Sequence, residues 1–252
     1  MILTGSSRGL GRAMARQLVR QPGRTLIAIA RQPVPDLEAL AAMHGSRVLS
    51  WALDLADAPA AAARLAGWLG EQSAAAWSRA VLINNAGVLP RLGPVGDDEA
   101  SALSAALRVG LEAPILLTAA FLRATEDWAA RRDGRVQVLN VSSGLGRRPM
   151  AGSAAYCAAK AGLDHFTRAV ALEEAQRAHP ARLVSLAPGV IDTDMQTHLR
   201  AADPAGFPDH GRFVHLQAAG LLDGAEVAAA KVLAWLARPD FRQAPVAGGP
   251  EG

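Results

Sequence analysis

Short apolar and β-branched runs alternate along this chain with longer alanine-rich stretches whose apolar positions recur at helical spacing. Strands are predicted over residues 25–30, 47–53, 80–84, 135–141 and 182–187, with a stub at 2–4 and a weak strand near 245–247. Helices are predicted over 9–20, 36–44, 59–71, 97–107, 113–131, 153–179 and 224–237. Such alternation implies βαβ units with right-handed crossovers, and hence an α/β fold with a parallel sheet covered by helices on both faces. No internal repeat, low-complexity linker or composition shift divides the chain, so residues 1–252 read as one domain.

Composition narrows the function classes. At 252 residues and 50% hydrophobic, the chain can bury a large core and is not disordered. The formal net charge is +3, and nearly all of the basic residues are scattered arginines. The longest basic runs are pairs, Arg131-Arg132 and Arg147-Arg148, so nothing points to nucleic acid. The one cysteine, Cys157, rules out an internal disulfide and suits a reducing compartment. Its place beside Tyr156 invites a thiol role, but a small packing residue is the plainer reading. The six histidines have no metal-ligand spacing, so no metal is expected. No segment reaches the ~18 apolar residues of a membrane span. A glycine-rich motif beginning at Thr4 leaves no room for a signal peptide, and cytoplasmic residence is the default expectation.

The chemistry-bearing residues cluster on one side of the expected sheet. Thr4-Gly5-Ser6-Ser7-Arg8-Gly9-Leu10-Gly11 reads as strand end, glycine-rich turn and helix start. Glycines let the backbone approach a ligand, and the helix start offers N–H groups and a positive dipole end to a pyrophosphate. The turn, Arg31, Asp54, Asn84-Asn85-Ala86-Gly87, Ser143 and Pro188-Gly189 all follow strands, and ligands gather at strand carboxyl ends. The single tyrosine, Tyr156, precedes Lys160 by one helical turn. A phenol with pKa ~10 is a poor acid at neutral pH, and a neighbouring ammonium is expected to lower that value.

With these residues in place, the chain resembles the short-chain dehydrogenase/reductase family over essentially its whole length. The resemblance rests on the glycine loop, Asp54, Asn84-Asn85-Ala86-Gly87, the spacing of Ser143, Tyr156 and Lys160, and Pro188-Gly189-Val190-Ile191-Asp192-Thr193. Within the family, Tyr156-Cys157-Ala158-Ala159-Lys160 and Ala187-Pro188-Gly189-Val190-Ile191-Asp192-Thr193-Asp194-Met195-Gln196 are most similar to the branch of sepiapterin and bacterial benzil reductases. The resemblance implies a Rossmann-type doubly wound sheet and hydride transfer between a nicotinamide and a small carbonyl substrate. It implies that Tyr156 protonates the developing alkoxide, Ser143 hydrogen bonds the same oxygen, and Lys160 holds the nicotinamide ribose. Cofactor contacts are expected from Gly5, Ser7, Arg8, Gly9, Leu10, Gly11, Arg31, Asp54, Leu55, Asn85, Ala86, Gly87, Tyr156, Lys160, Pro188, Gly189, Ile191 and Thr193. Arg31 stands where NAD-preferring relatives carry an acidic residue. With Arg8 it would bind a 2′-phosphate, so the expected cofactor is NADPH/NADP+.

Other implications are narrower. The family's fourth catalytic residue, an asparagine, aligns with Gly110, which keeps a carbonyl but lacks the amide. That substitution leaves open a regulatory protein that binds NADPH without efficient turnover. An epimerase or dehydratase using the same tyrosine and lysine has less support, because the C-terminal half is short for a large substrate domain. Helices 113–131 and 153–179 resemble the pair through which relatives associate, so a homodimer is expected, with a tetramer as the larger alternative. Segment 197–222 contains Pro204, Gly206, Pro208, Gly211 and Gly220 and reads as a loop with a short helical piece. Its Phe207, Phe213, Val214 and Leu216 would close over a hydrophobic ketone or serve packing alone. The aspartate by which sepiapterin reductases hold the pterin aligns with Gly248, which favours a ketone, diketone or quinone over sepiapterin.

Overall fold

The computed structural model describes residues 1–131, 135–241 and 244–248. Arg132 of the basic pair Arg131-Arg132 lies outside the described residues. In chain order the elements are β1 (Ile2–Thr4), α1 (Gly9–Val19), β2 (Thr25–Ala30), α2 (Leu37–Met43), β3 (Arg47–Ala52), α3 (Ala58–Gly70), β4 (Ala80–Asn84), α4 (Ala100–Leu107), α5 (Ala113–Ala124), α6 (Glu126–Arg131) and β5 (Val136–Val141). They continue with α7 (Ala154–Glu174), β6 (Arg182–Ala187), β7 (Ile191–Asp192), α8 (Asp194–Arg200), α9 (His210–Ala218), β8 (Asp223–Gly224), α10 (Ala225–Trp235) and β9 (Val246–Gly248). The main sheet has 7 strands in the order β3-β2-β1-β4-β5-β6-β9. Every pairing in it is parallel. This is the Rossmann-type doubly wound sheet, and its strand order reverses between β1 and β4.

Both faces of the sheet are covered, which is why the strands read as nearly continuous apolar runs. In β4, Val81 and Ile83 join the core under α1 and α10, while Ala80 and Leu82 join the core under α3 and α5. The short β1 divides the same way, with Leu3 on the first face and Ile2 on the second. It pairs with strands on both sides, so the stub completes the sheet. Phe121 is fully buried in the second core, and cutting such a side chain to alanine typically costs ~3–5 kcal/mol.

The helices depart from the sequence reading in informative ways. A wide turn with π-type bonding, Arg108–Glu112, joins α4 to α5, so Gly110 and Pro114 do not break the helix. The resulting stretch Ala100–Ala124 has 25 residues, and its 18-residue window of mean hydropathy 1.6 is long and apolar enough by length and composition to cross a bilayer. The stretch carries Arg108 and Glu112 and packs between α3 and α7 with 44% of that window buried, so it is not a clear membrane span. The predicted helix 113–131 breaks at Thr125, whose buried Oγ1 donates back to the Phe121 carbonyl at 2.8 Å. The predicted helix 153–179 stops at Glu174, whose carboxylate accepts the Ala181 amide at 2.8 Å and turns the chain toward β6. Segment 197–222 is more ordered than a loop. It holds the end of α8 and all of α9, built on the stacked Phe207 and Phe213 rings, whose centroids lie 5.6 Å apart.

Candidate active site

The reversal of strand order opens a crevice at the carboxyl edge, and Thr4 and Asn85 fix its two sides. Thr4 Oγ1 accepts the Asn85 and Ala86 amides at 2.9 and 3.0 Å. Asn85 Nδ2 donates to the carbonyls of Thr4 and Gly5 at 3.0 and 3.2 Å. These bonds tie the glycine turn after β1 to the turn after β4. Behind them runs a buried ladder. Asn84 Nδ2 donates to Asn140 Oδ1 at 2.8 Å, and Asn140 Nδ2 donates to Thr167 Oγ1 at 2.9 Å. Neither Asn140 nor Thr167 was singled out in the sequence. Both hold β4, β5 and α7 in line below the site.

The glycine turn forms a cradle that side chains would fill. A Cβ on Gly11 would lie 2.0 Å from the Gly5 carbonyl oxygen, and one on Gly5 would lie 2.9 Å from Ala86 Cα. Gly5 and Gly9 have φ of 69° and 50°, where glycine is favoured. No acidic residue occupies the first turn of α1 and no side chain caps its start, so its positive end faces the crevice uncompensated. Leu10 is buried beneath the turn and Ser7 is half-buried at its rim. Thr193 closes the cradle from the opposite side, 3.3 Å from where a Gly9 Cβ would stand. It follows Pro188, Gly189 with φ 90°, and buried Ile191. Arg31 is exposed directly after β2. Asp54 is exposed after β3, its Oδ1 accepting the Ala56 amide at 3.0 Å, and Leu55 packs inward. A cradle with no room for side chains, a bare helix start and flanking arginines fit a dinucleotide phosphate.

The sequence placed Arg8 with Arg31 at the adenosine end. In the structure Arg8 instead reaches Asp194 at 3.7 Å, across the cradle. Both side chains are largely exposed, and such a pair contributes little to stability.

Ser143, Tyr156 and Lys160 do come together. Ser143 ends the extended segment after β5, and its Oγ accepts the Leu145 amide at 3.2 Å, capping the turn Gly144–Gly146. The same side chain lies close enough to the Tyr156 phenol to favour its phenolate. Lys160 Nζ lies 5.6 Å from the Tyr156 ring centroid, and a Cβ on Gly87 would lie 3.7 Å from that nitrogen. Tyr156 and Lys160 are 8% and 4% exposed. Burial pushes the phenol up to about 12, against the Ser143 hydrogen bond. Burial also pushes Lys160 down to about 8, against the raising effect of Asp164. The phenol therefore lies above its ordinary value through burial, not below it as expected from the neighbouring lysine. Desolvation is the largest cause of the tyrosine's shift, and the Lys160 ammonium donates to the Val141 carbonyl at 2.7 Å.

Gly110 lies against α7, where its Cβ would be 3.1 Å from Ala159 Cβ. An apolar cluster of Leu92, Met150, Leu199, Phe207 and Phe213 sits beside α7, with Cys157 packed against it. Cys157 Sγ is 3.5 Å from Ser153 Oγ, as a packing residue would be. Among the described residues, no group of three or more His, Cys, Asp or Glu is placed to hold a metal.

The family model described as short chain dehydrogenase matches residues 1–204. Benzil reductase ((S)-benzoin forming) of Bacillus cereus is 34% identical over 98% of this chain and 97% of its own. Sepiapterin reductase of Xenopus tropicalis is 32% identical over 84% of this chain and 81% of its own. The crystal structure of a metagenomic short-chain oxidoreductase in complex with NADP superposes with a TM-score of 0.70 at 29% identity, covering 98% of this chain and 93% of that one. Fold, cradle and relatives agree: the chain belongs to the short-chain dehydrogenase/reductase family of oxidoreductases acting on CH–OH and C=O groups.

Proposed function

We propose that this protein is an NADPH-dependent reductase of small hydrophobic ketones, diketones or quinones. The observation that carries the reading is a buried, protonated Tyr156 joined to Ser143 and beside Lys160, next to the glycine cradle. When bound, the nicotinamide cofactor supplies the hydride to the carbonyl carbon. Tyr156 Oη holds the proton that the carbonyl oxygen takes as it becomes an alcohol. Ser143 Oγ donates a hydrogen bond to that oxygen, where negative charge develops. Lys160, cationic below about pH 8, stabilises the phenolate left behind and binds ribose hydroxyls.

Arg31 supports the NADPH preference, since an exposed guanidinium after β2 suits a 2′-phosphate. The apolar cluster around Phe207 and Phe213 supports a hydrophobic substrate. A test is NADPH oxidation followed at 340 nm across a panel of aryl and alkyl diketones, ketones and quinones. Cofactor binding without turnover on any member would favour the second reading, a NADPH-binding regulatory protein, which Gly110 alone supports. The chain fits a reducing compartment such as the cytoplasm, given its single free cysteine. We expect a homodimer through α5 and α7, where Leu172 is 72% exposed. Light scattering near the 26.2 kDa monomer mass at micromolar concentration would overturn that expectation.

A further inference from the structure

Below Lys160 lies a charged pair that the proposed chemistry does not use. Asp164 stands one turn after Lys160 on α7, as Lys160 stands one turn after Tyr156, so the three share a face. Asp164 is 1% exposed, and each of its oxygens has a partner. Oδ1 accepts from Ser185 Oγ at 2.6 Å on β6. Oδ2 accepts from Arg147 Nε at 3.2 Å. Arg147 follows the turn that Ser143 caps, and its Nη2 donates to the Ala247 carbonyl at 2.7 Å on β9. Gly146 shows how tightly this turn sits over the helix: its Cβ would lie 2.9 Å from the Lys160 carbonyl oxygen and 3.2 Å from Asp164 Oδ2.

We propose that Asp164 is the positioning residue that keeps buried Lys160 an ammonium, and that Arg147 limits how much of the carboxylate's charge Lys160 receives. A buried ammonium whose hydrogen bond goes to one carbonyl needs a counter-charge to remain protonated. Asp164 provides the buried carboxylate one turn after Lys160 on α7, and Tyr156 and Cys157 are the titratable residues one turn before it. The turn after β5 brings only Arg147 to the cluster. Gly87 and Gly110 bring no charge, and α4 carries none. Arg108 and Glu112 of the wide turn line a separate pocket with Asp57. Arg182 lies at the amino end of β6, away from the site. The favourable Lys160–Asp164 interaction opposes the effect of burial.

This inference deepens the reductase reading, since it names what keeps that lysine charged, but its test needs neither cofactor nor substrate. The chain has two lysines, Lys160 and Lys231, so protein labelled with 13Cε-lysine gives two resonances to follow against pH. Lys231, exposed and paired with Asp223 at 2.6 Å, is the internal reference. Lys160 in the parent is expected to titrate near about 8. Asp164→Asn keeps the shape and removes the charge, and the midpoint should fall by at least ~1 unit. Arg147→Gln should move it upward. An Asp164→Asn midpoint equal to or above the parent's overturns the proposal. Should that variant not fold, Arg147→Gln decides alone, and a midpoint that fails to rise overturns it. If the titrations behave as expected while the diketone panel shows no turnover, only the reductase reading fails.

Discussion

Lys160 donates its short hydrogen bond to the carbonyl of Val141, 2.7 Å away at the end of β5, and not to the phenol of Tyr156. The lysine is thereby anchored to the sheet edge, while burial keeps the proton on Tyr156 against the lowering effect of Ser143. A phenol held near about 12 stays protonated across the physiological range but is a weak acid, so delivering its proton calls on the Lys160 ammonium to stabilise the phenolate that is left. Tyr156→Phe is predicted to lower kcat at least ~100-fold, the lower range for loss of a general acid. Equilibrium binding of NADPH, followed by its fluorescence, should survive because the cradle is untouched. Since Tyr156 is the only tyrosine, absorbance at 295 nm reads its titration directly. A midpoint at or below 10 in the free protein would contradict the burial argument.

The lysine predicts a pH-dependent stability. Its folded value, about 8, lies below the 10.5 of an unfolded lysine. Between those values the unfolded chain binds more protons, so folding stability contributed by this site rises as pH increases from 8 toward 10.5. Below pH 8 both states carry the charge, and the fold bears the full cost of burying it, ~3 kcal/mol at 1.36 kcal/mol per unit. Lys160→Met removes the titration. The stability of the parent minus that of Lys160→Met, from urea denaturation at pH 7 and pH 9.5, should therefore increase with pH. An equal difference at the two pH values would show that Lys160 titrates normally.

Gly11 is where the cradle tolerates least. A methyl group there would meet the Gly5 carbonyl oxygen at 2.0 Å, a backbone atom that cannot step aside without moving β1. Gly11→Ala should weaken NADPH binding at least ~10-fold and lower Tm, as overpacking against backbone costs ~1–3 kcal/mol. Gly67→Ala in α3, where nothing lies within 4 Å, is the control and should gain up to ~1 kcal/mol from helix propensity. Calorimetry of both variants with and without NADPH separates loss of fit from loss of fold.

Much of this molecule was legible from local pattern. The strands came within a residue or two because a sheet buried on both faces demands continuous apolar runs, as in Val81-Leu82-Ile83. The glycine turn and the Ser143–Tyr156–Lys160 spacing were legible because each is a backbone or helical-turn requirement written in adjacent residues. What failed depended on contacts between distant segments. Helices 97–107 and 113–131 read as separate, but a wide turn at Arg108–Glu112 joins them, with Pro114 in the first turn of α5. The α8 and α9 helices form around Phe207, Phe213 and Leu92, which sequence separation hides. The sign of the tyrosine shift depends on burial, which spacing does not reveal. The Asp164–Arg147 pair needed a signal that was half present: Asp164 continues the one-turn spacing from Tyr156 and Lys160, but its partner lies on another segment.

Cofactor choice should turn on Arg31. It is exposed after β2 and has no ion pair among the described residues, so its guanidinium is available to a phosphate. Arg8 is engaged only by an exposed contact with Asp194 and can leave it at little cost. Arg31→Asp should lower kcat/KM for NADPH at least ~10-fold, because charge-assisted bonds are worth ~1.5–3 kcal/mol. Activity with NADH should hold or rise. Equal kcat/KM for the two cofactors in the parent would sink the assignment of Arg31.

Substrate choice should turn on the floor near β9. The resemblance puts Gly248 where sepiapterin reductases are expected to carry their pterin-anchoring aspartate, and a Cβ on it would lie 2.9 Å from Arg147 Nη1. The guanidinium is held by Asp164 and the Ala247 carbonyl, so the place of a carboxylate acceptor is taken by a donor. A pterin, rich in N–H donors, would find no charged acceptor at this position, and such a lost bond costs ~1.5–3 kcal/mol. A diaryl diketone needs none, and the apolar cluster of Leu92, Met150 and Phe213 suits its rings. Benzil should therefore be reduced with a kcat/KM at least ~10-fold above that for sepiapterin, the lower end of that energy range. Gly248→Asp should not simply restore pterin use, because the new carboxylate would pair with Arg147 first. Gly248→Asp combined with Arg147→Leu is the variant expected to narrow the gap. A parent enzyme that prefers sepiapterin ten-fold over benzil would place the specificity elsewhere in the crevice.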